Sequence, residues 1–195
     1  SPAVQMIGDT GAGAKYWARW RGPSGQGVVT GTGYPDSWSA TENVKWKVAV
    51  PGDGNSSPIV WGDRIFVTTA YDGGRRLSVV AFRRTDGTKV WETFAPEGRT
   101  PYGNHYKNGF ASATPATDGE RIYASFGPRG LIALDMNGKQ VWFRDLGQMD
   151  AYHGTAGSPL LYKDRLILYQ DQSRNSFIAA FDTKTGKTLW NTPRE

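Results

Sequence analysis

Three stretches of this chain can be laid on top of one another, the second shorter by one residue before its glycine. They are Ala81-Phe82-Arg83-Arg84-Thr85-Asp86-Gly87-Thr88-Lys89-Val90-Trp91, Ala133-Leu134-Asp135-Met136-Asn137-Gly138-Lys139-Gln140-Val141-Trp142 and Ala180-Phe181-Asp182-Thr183-Lys184-Thr185-Gly186-Lys187-Thr188-Leu189-Trp190. Each reads as strand, glycine turn, strand, and ends on Trp. The indoles stand 51 and 48 residues apart, and Trp46 precedes the first by 45. Asp86-Gly87 and Asn137-Gly138 are two-residue hairpin signals. A repeat of this length built of short strands predicts a propeller-like array. Each unit of such an array has an apolar face that only its neighbour can cover.

A second signature precedes each Trp. Ser57-Pro58, Thr114-Pro115 and Ser158-Pro159 each open an apolar strand. An acidic-Arg turn follows at Asp63-Arg64, Glu120-Arg121 and Asp164-Arg165, and then a second apolar strand. One unit is therefore four strands, A to D. Strand A starts at the Ser/Thr-Pro, where a sheet tolerates proline. Strand B starts at the Arg, C ends near Phe82, Leu134 or Phe181, and D carries the Trp. The sequence predicts an all-β chain of four-stranded antiparallel blades.

The 195 residues suffice for one sizeable core, and 25 Gly, 8 Trp and 11 Pro suit many tight turns around large aromatics. No apolar run approaches the roughly 18 to 20 residues of a membrane span. Ser1-Pro2-Ala3-Val4 lacks the basic start and apolar core of a signal peptide, though a mature exported protein would look the same. With no Cys there are no disulfides, thiolate metal sites or Cys-linked lipids. The net charge of +5 gathers in nothing larger than Arg75-Arg76 or Arg83-Arg84. It reads as solvated surface, and no nucleic-acid partner is expected.

Residues 1–42 do not repeat and form an N-terminal extension. Its Trp17-Ala18-Arg19-Trp20-Arg21-Gly22-Pro23-Ser24-Gly25-Gln26-Gly27 is too aromatic for a linker and is expected to dock on the blades. Residues 43–195 are the propeller part. A single strand is expected over Val44–Val50, with Trp46 in the D position, followed by full units at 55–94, 111–146 and 155–192. Three blades and an orphan D strand do not close a ring, which needs about four to eight blades. The expectation is the N-terminal part of a seven- or eight-bladed ring, with the other blades from missing sequence, another chain or another copy.

Strand order also fixes which loops share a face. The D-to-A and B-to-C loops lie at one end of the blades, the A-to-B and C-to-D turns at the other. The first face carries the long loops Ala95–Gly109, Leu146–Gly154 and Asp171–Asn175; the second offers short turns. Both histidines of the chain fall on the first face, just before a strand A. The candidate ligand-binding residues are His105, Asn108, His153, Asp171, Gln172 and Arg174. Taken singly, each also fits a turn-forming or backbone-bonding role; their coincidence on one face marks them. The histidines lie 48 residues apart without a third ligand in register, so no metal is expected. Ser112, His153 and Asp171 could be drawn as a triad, but nothing sets a Ser on a nucleophile turn. Gly11-Ala12-Gly13 precedes no strand-helix unit and is no phosphate loop.

The segment ending Gly186-Lys187-Thr188-Leu189-Trp190 resembles the tryptophan-docking repeat of the PQQ-like, quinoprotein-type β-propellers, and the resemblance covers residues 43–192. The opening Trp17-to-Gly27 motif and Asn43-Val44-Lys45-Trp46-Lys47 are similar to bacterial BamB-like propeller proteins. In that family the D-strand Trp stacks on a neighbouring blade, which the resemblance implies for Trp91, Trp142 and Trp190. It also implies export to the periplasm or beyond. PQQ dehydrogenases of the family carry adjacent cysteines beside the cofactor and a Glu-Asn-Asp calcium site, and no matching cysteines or acidic cluster is visible here. BamB is anchored through a lipidated Cys, which this chain also lacks.

Three readings compete. The first is a non-catalytic exported scaffold, binding a protein partner or ligand on its loop-rich face and needing no cofactor. The second is a PQQ-dependent dehydrogenase. The third is a sensor or carbohydrate-binding module of a larger secreted protein.

Overall fold

The computed structural model describes residues 11–29, 31–100 and 103–194. Among them lie three antiparallel four-stranded sheets. The first is β1 (Ile59–Trp61), β2 (Arg64–Tyr71), β3 (Arg76–Arg83) and β4 (Lys89–Phe94). The second is β5 (Ala116–Thr117), β6 (Arg121–Ser125), β7 (Leu131–Asp135) and β8 (Gln140–Arg144). The third is β9 (Leu160–Tyr162), β10 (Arg165–Gln170), β11 (Ser176–Asp182) and β12 (Thr188–Arg194). Strands pair only with their sequence neighbours, as blades of a β-propeller do.

Period-2 alternation gives each sheet two apolar faces. On one face of the first sheet, register aligns Ile59, Phe66, Ala81 and Trp91. This row packs on Ile122, Ala124, Ile132 and Leu134 of the second sheet. The second sheet's opposite face aligns Tyr123, Ala133 and Trp142. That row packs on Leu166, Leu168, Ala179 and Phe181 of the third. Core therefore fills both interfaces, each supplied half by a Trp-bearing face.

The two sequence signatures prove to be inter-blade hooks. Trp91 donates its indole N–H to the Met136 carbonyl at 3.1 Å, and Trp142 to that of Thr183 at 2.9 Å. Each acceptor is the first residue after strand C of the next blade. A Cβ on Gly138 would lie 2.7 Å from the Trp91 ring, and one on Gly186 2.7 Å from that of Trp142. Only glycine lets the indole lie on the turn, and both glycines have positive φ. The Ser/Thr-Pro hydroxyls form the second hook. Ser57 N–H donates to Thr114 Oγ1 at 3.0 Å, and Thr114 N–H to Ser158 Oγ at 3.0 Å.

Three expectations need correction. Trp190 is not buried between blades: it is 38% exposed, because no fourth sheet among the described residues covers its face. Val44–Val50 forms no strand, since no described segment offers it a ladder partner. Trp46 nevertheless bonds the Arg84 carbonyl at 2.9 Å and lies against Gly87, as its repeat position requires. The face of short turns is not plain either. There the N-terminal segment spans two inner strands: Val60 N–H donates to Trp17 O at 2.8 Å, and Thr117 N–H to Ala18 O at 2.9 Å. Buried Arg19 ties it together by bonds to the Gly22 and Pro23 carbonyls.

Candidate functional site

At the other end of the blades the long loops meet. His105, on the loop before β5, and His153, on the loop before β9, place their ring centroids 5.3 Å apart. Tyr106 flanks the first at 4.4 Å and Tyr152 the second at 4.9 Å, so four rings form one continuous row. The outer tyrosines are 83% and 81% exposed. The Lys107 N–H donates to His105 Nδ1 at 3.3 Å, so the neutral ring carries its hydrogen on Nε2.

Asn108 is what holds the two loops together. Its Nδ2 donates to the His153 carbonyl at 2.7 Å. Its Oδ1 accepts from Gly109 N–H at 2.9 Å and from the Ser112 hydroxyl. Its carbonyl accepts from Asn104 Nδ2 at 2.5 Å. With Oδ1 accepting two bonds and Nδ2 reaching across to the second loop, Asn108 acts here by positioning. Gly154 allows the close approach, since a Cβ there would stand 2.8 Å from Asn108 Nδ2.

The third loop joins through Asp150. Gln172 Oε1 accepts from Asp150 N–H at 3.0 Å, while Ser173 N–H donates to the Asp150 carbonyl at 2.8 Å. Gln172 Nε2 donates to the Asn175 carbonyl at 3.0 Å, which ties that side chain to its own loop as well. Asp171 pairs with Arg194 of β12 at 2.7 Å. Arg174 is exposed and bonds nothing among the described residues. The six predicted residues thus share one face. His105, Asn108 and His153 form a tight group that Asp150 links to Gln172, whereas Arg174 stands apart.

A cavity of about 270 Å³ opens beside the ring row, lined by Asn104, Met149, Asp150, Tyr152 and Thr155 among others. A larger cleft of about 420 Å³ runs from Arg144 and Asp145 to Phe177 and Asn191 and takes in Gln172. It lies mostly between packed strands rather than between loops.

Arg129 is a residue the sequence did not single out. It is 4% exposed and donates to the Arg99 carbonyl at 2.8 Å, that of Arg75 at 2.8 Å and that of Pro96 at 3.3 Å. It staples a B-to-C loop to the loops of the first blade. Burial pulls its pKa below the usual guanidinium value, against the pull of the Glu97 charge. Its place in Gly127-Pro128-Arg129-Gly130 signals a turn, but not these partners. Tyr106, Tyr152 and Asp150 carry no sequence signal of their own beyond lying in the same long loops.

Among the described residues no three His, Cys, Asp or Glu side chains are placed to hold a metal ion.

A family model described as "Outer membrane protein assembly factor BamB" matches residues 21–193. The chain belongs to this family. The match reaches back to Arg21-Gly22-Pro23 of the N-terminal motif, so that motif falls partly within the BamB-like unit. Two solved structures share the fold. A europium-containing methanol dehydrogenase is 20% identical with a TM-score of 0.53, over 74% of this chain and 25% of its own. The quinohemoprotein alcohol dehydrogenase of Comamonas testosteroni is 20% identical with a TM-score of 0.54, over 73% of this chain and 21% of its own. BamB of Moraxella catarrhalis is 18% identical with a TM-score of 0.44, over 76% of this chain and 51% of its own. This chain thus spans about a quarter or less of the dehydrogenases. No curated protein matches it. No described helix is long and apolar enough to cross a membrane.

Proposed function

We propose that this BamB-like chain is a non-catalytic, exported propeller scaffold that binds a protein or ligand on its loop-rich face. The observation carrying the reading is the assembly of three long loops at one end, with His105 and His153 at 5.3 Å and Asp150 bonded to Gln172. Polar groups converging on loops held by rigid sheet are the usual form of a binding site. Residues 43–195 act as the propeller part and residues 1–42 as an N-terminal extension. The indoles of Trp46, Trp91 and Trp142 serve as the docking elements of the family repeat, and the open Trp190 face receives a further blade. Export to the periplasm or beyond follows from the family resemblance.

A photo-crosslinking residue at position 152 and another at Asn137, on the face of short turns, test the site. In extracts of the exporting host, crosslinks from 152 alone are expected. Crosslinks from 137 alone would overturn the assignment. The dehydrogenase reading is tested by adding PQQ, calcium and an alcohol with a reporter dye. Sustained dye reduction would replace the scaffold with an enzyme.

A further inference from the structure

We infer that the row Tyr106, His105, His153, Tyr152 is a binding platform for a neutral carbohydrate, one sugar ring of which enters the cavity beside Tyr152. This rests on the reading of the loop-rich face as the binding face and gives its ligand a chemical class. The two phenol rings are 83% and 81% exposed and add nothing to the core, yet both stand on loops fixed by the Asn108 bonds. Fixed, exposed aromatics side by side mark an interaction surface rather than a packing residue.

The polar groups around them select the ligand. Among the described residues, the Tyr106 and Tyr152 hydroxyls, the His153 ring and the Asp150 carboxylate have no hydrogen-bond partner, and His105 keeps its Nε2–H. An apolar ligand would strip water from these groups without replacing its bonds. An anionic ligand would meet the Asp150 carboxylate in the cavity, while the Lys107 ammonium lies 5.6 Å from the Tyr106 ring at the other end of the row. A neutral sugar answers both demands. Its C–H face lies flat on a phenol ring, and its hydroxyls donate to imidazole and carboxylate and accept from them. The cavity of about 270 Å³ lies at the lower edge of the roughly 300–1,000 Å³ typical of ligand pockets. It suits one ring of a chain whose remainder lies along the row.

The test is calorimetric titration of the 195-residue chain with cellohexaose, xylohexaose and maltohexaose, and with hexagalacturonate as the acidic control. At least one neutral oligosaccharide is expected to bind. Tyr152→Ala and Tyr106→Ala should each weaken it about tenfold, the scale of one lost aromatic contact, while Tyr152→Phe retains binding. Unchanged thermal melts of these exposed variants would separate lost binding from lost folding. Failure of every neutral oligosaccharide, binding of the acidic one alone, or indifference to both Ala substitutions would overturn the inference. If crosslinks still form from position 152 in that case, the binding face stands and only the ligand class falls.

Discussion

Thr114 accepts a hydrogen bond from Ser57 N–H through its hydroxyl and donates its own N–H to the Ser158 hydroxyl, each at 3.0 Å. One residue of blade two is thus bonded to the blades on both sides. The hydroxyl in the Ser/Thr-Pro signature is there to receive the preceding blade. Thr114→Val keeps the shape of a 3%-exposed side chain and leaves Ser57 N–H without its partner. The expected loss is about 1–3 kcal/mol, the cost of a buried unsatisfied donor. Urea denaturation measures it, and an unchanged midpoint would reduce the hook to coincidence.

The indole hook is the stronger of the two. Trp142 is 8% exposed, and Trp142→Ala should cost about 3–5 kcal/mol. Gly186→Ala attacks the same contact from the other side. Its φ of +68° disfavours a Cβ, and the new methyl would stand 2.7 Å from the ring. A loss of about 1–3 kcal/mol is expected from strain and overpacking. The double variant should lose less than the sum, because the first change removes what the second would clash with. Additivity would show that the two residues act independently.

The parts of this architecture visible in the sequence were those that repeat. Arg64, Arg121 and Arg165 begin strands β2, β6 and β10 as the acidic-Arg turns predicted, and the Trp-to-Trp spacing gave the blade count. Strand order alone put His105 and His153 on one face. What could not be read was whatever depends on atoms far apart in sequence and present once. The Arg129 staple reaches carbonyls of Arg75, Pro96 and Arg99, and no local pattern encodes such partners. The seating of Trp17 and Ala18 on β1 and β5 is equally non-local. Asn108 is legible as a polar loop residue, yet whether an amide faces ligand or backbone depends on the approach of the neighbouring loop. Trp190 was expected to be buried because repeat logic supplies a neighbour to every blade.

That Trp190 face bears on solution behaviour. Leu160, Tyr162, Tyr169 and Trp190 lie on one side of the third sheet by register, and each is 36–48% exposed. An apolar row of this kind drives association. Static light scattering of the 195-residue chain should give a mass above 21.4 kDa that falls when Trp190→Glu and Tyr169→Glu are combined. A monomer at every concentration would show that the face is satisfied in some other way.

Glu92 gives the first blade a pH dependence at both ends. Its carboxylate accepts from Tyr71 at 2.6 Å, Ser78 at 2.8 Å and Lys89 at 3.1 Å. Burial works to raise its pKa, but these bonds outweigh it and hold it below the usual carboxylate value. A depressed folded-state pKa stabilises above the unfolded value of about 4.3 and loses that contribution as pH falls through the folded one. Tyr71 is pushed the other way, up to about 12, first by burial and then by the bond and charge of Glu92. Its contribution is complete below about pH 10 and disappears as pH rises through about 12. Glu92→Gln should therefore flatten the acid side of the stability profile and let Tyr71 ionise earlier. Thermal melts across pH read the first effect. The phenolate absorbance, compared with Tyr71→Phe, reads the second. An acid limb unaltered by Glu92→Gln would assign the acid sensitivity to other carboxylates, such as Asp86, which backbone and side-chain bonds to Thr88 and Arg83 hold down at about 2.

Asn108 tests whether the ring row is a built feature or an accident of two neighbouring loops. Its side chain bonds the His153 carbonyl, Gly109 N–H and the Ser112 hydroxyl at once. Asn108→Ala removes all three bonds, while the blades keep their own core and hooks. Global stability should fall by about 1–3 kcal/mol, but the local effect should be larger. Amide exchange at Gly109 and Gly154 should quicken well beyond that of β6 and β7, because the bond joining the two loops is gone. The histidine ring resonances should also lose the mutual shift expected of centroids 5.3 Å apart. Asn108→Asp keeps the Oδ acceptor for Gly109 and Ser112 but not the donor to His153, so it should free the second loop while sparing the first. If exchange in Asn108→Ala rises only in step with the strands, the loops are held by something other than Asn108, and the platform does not depend on it.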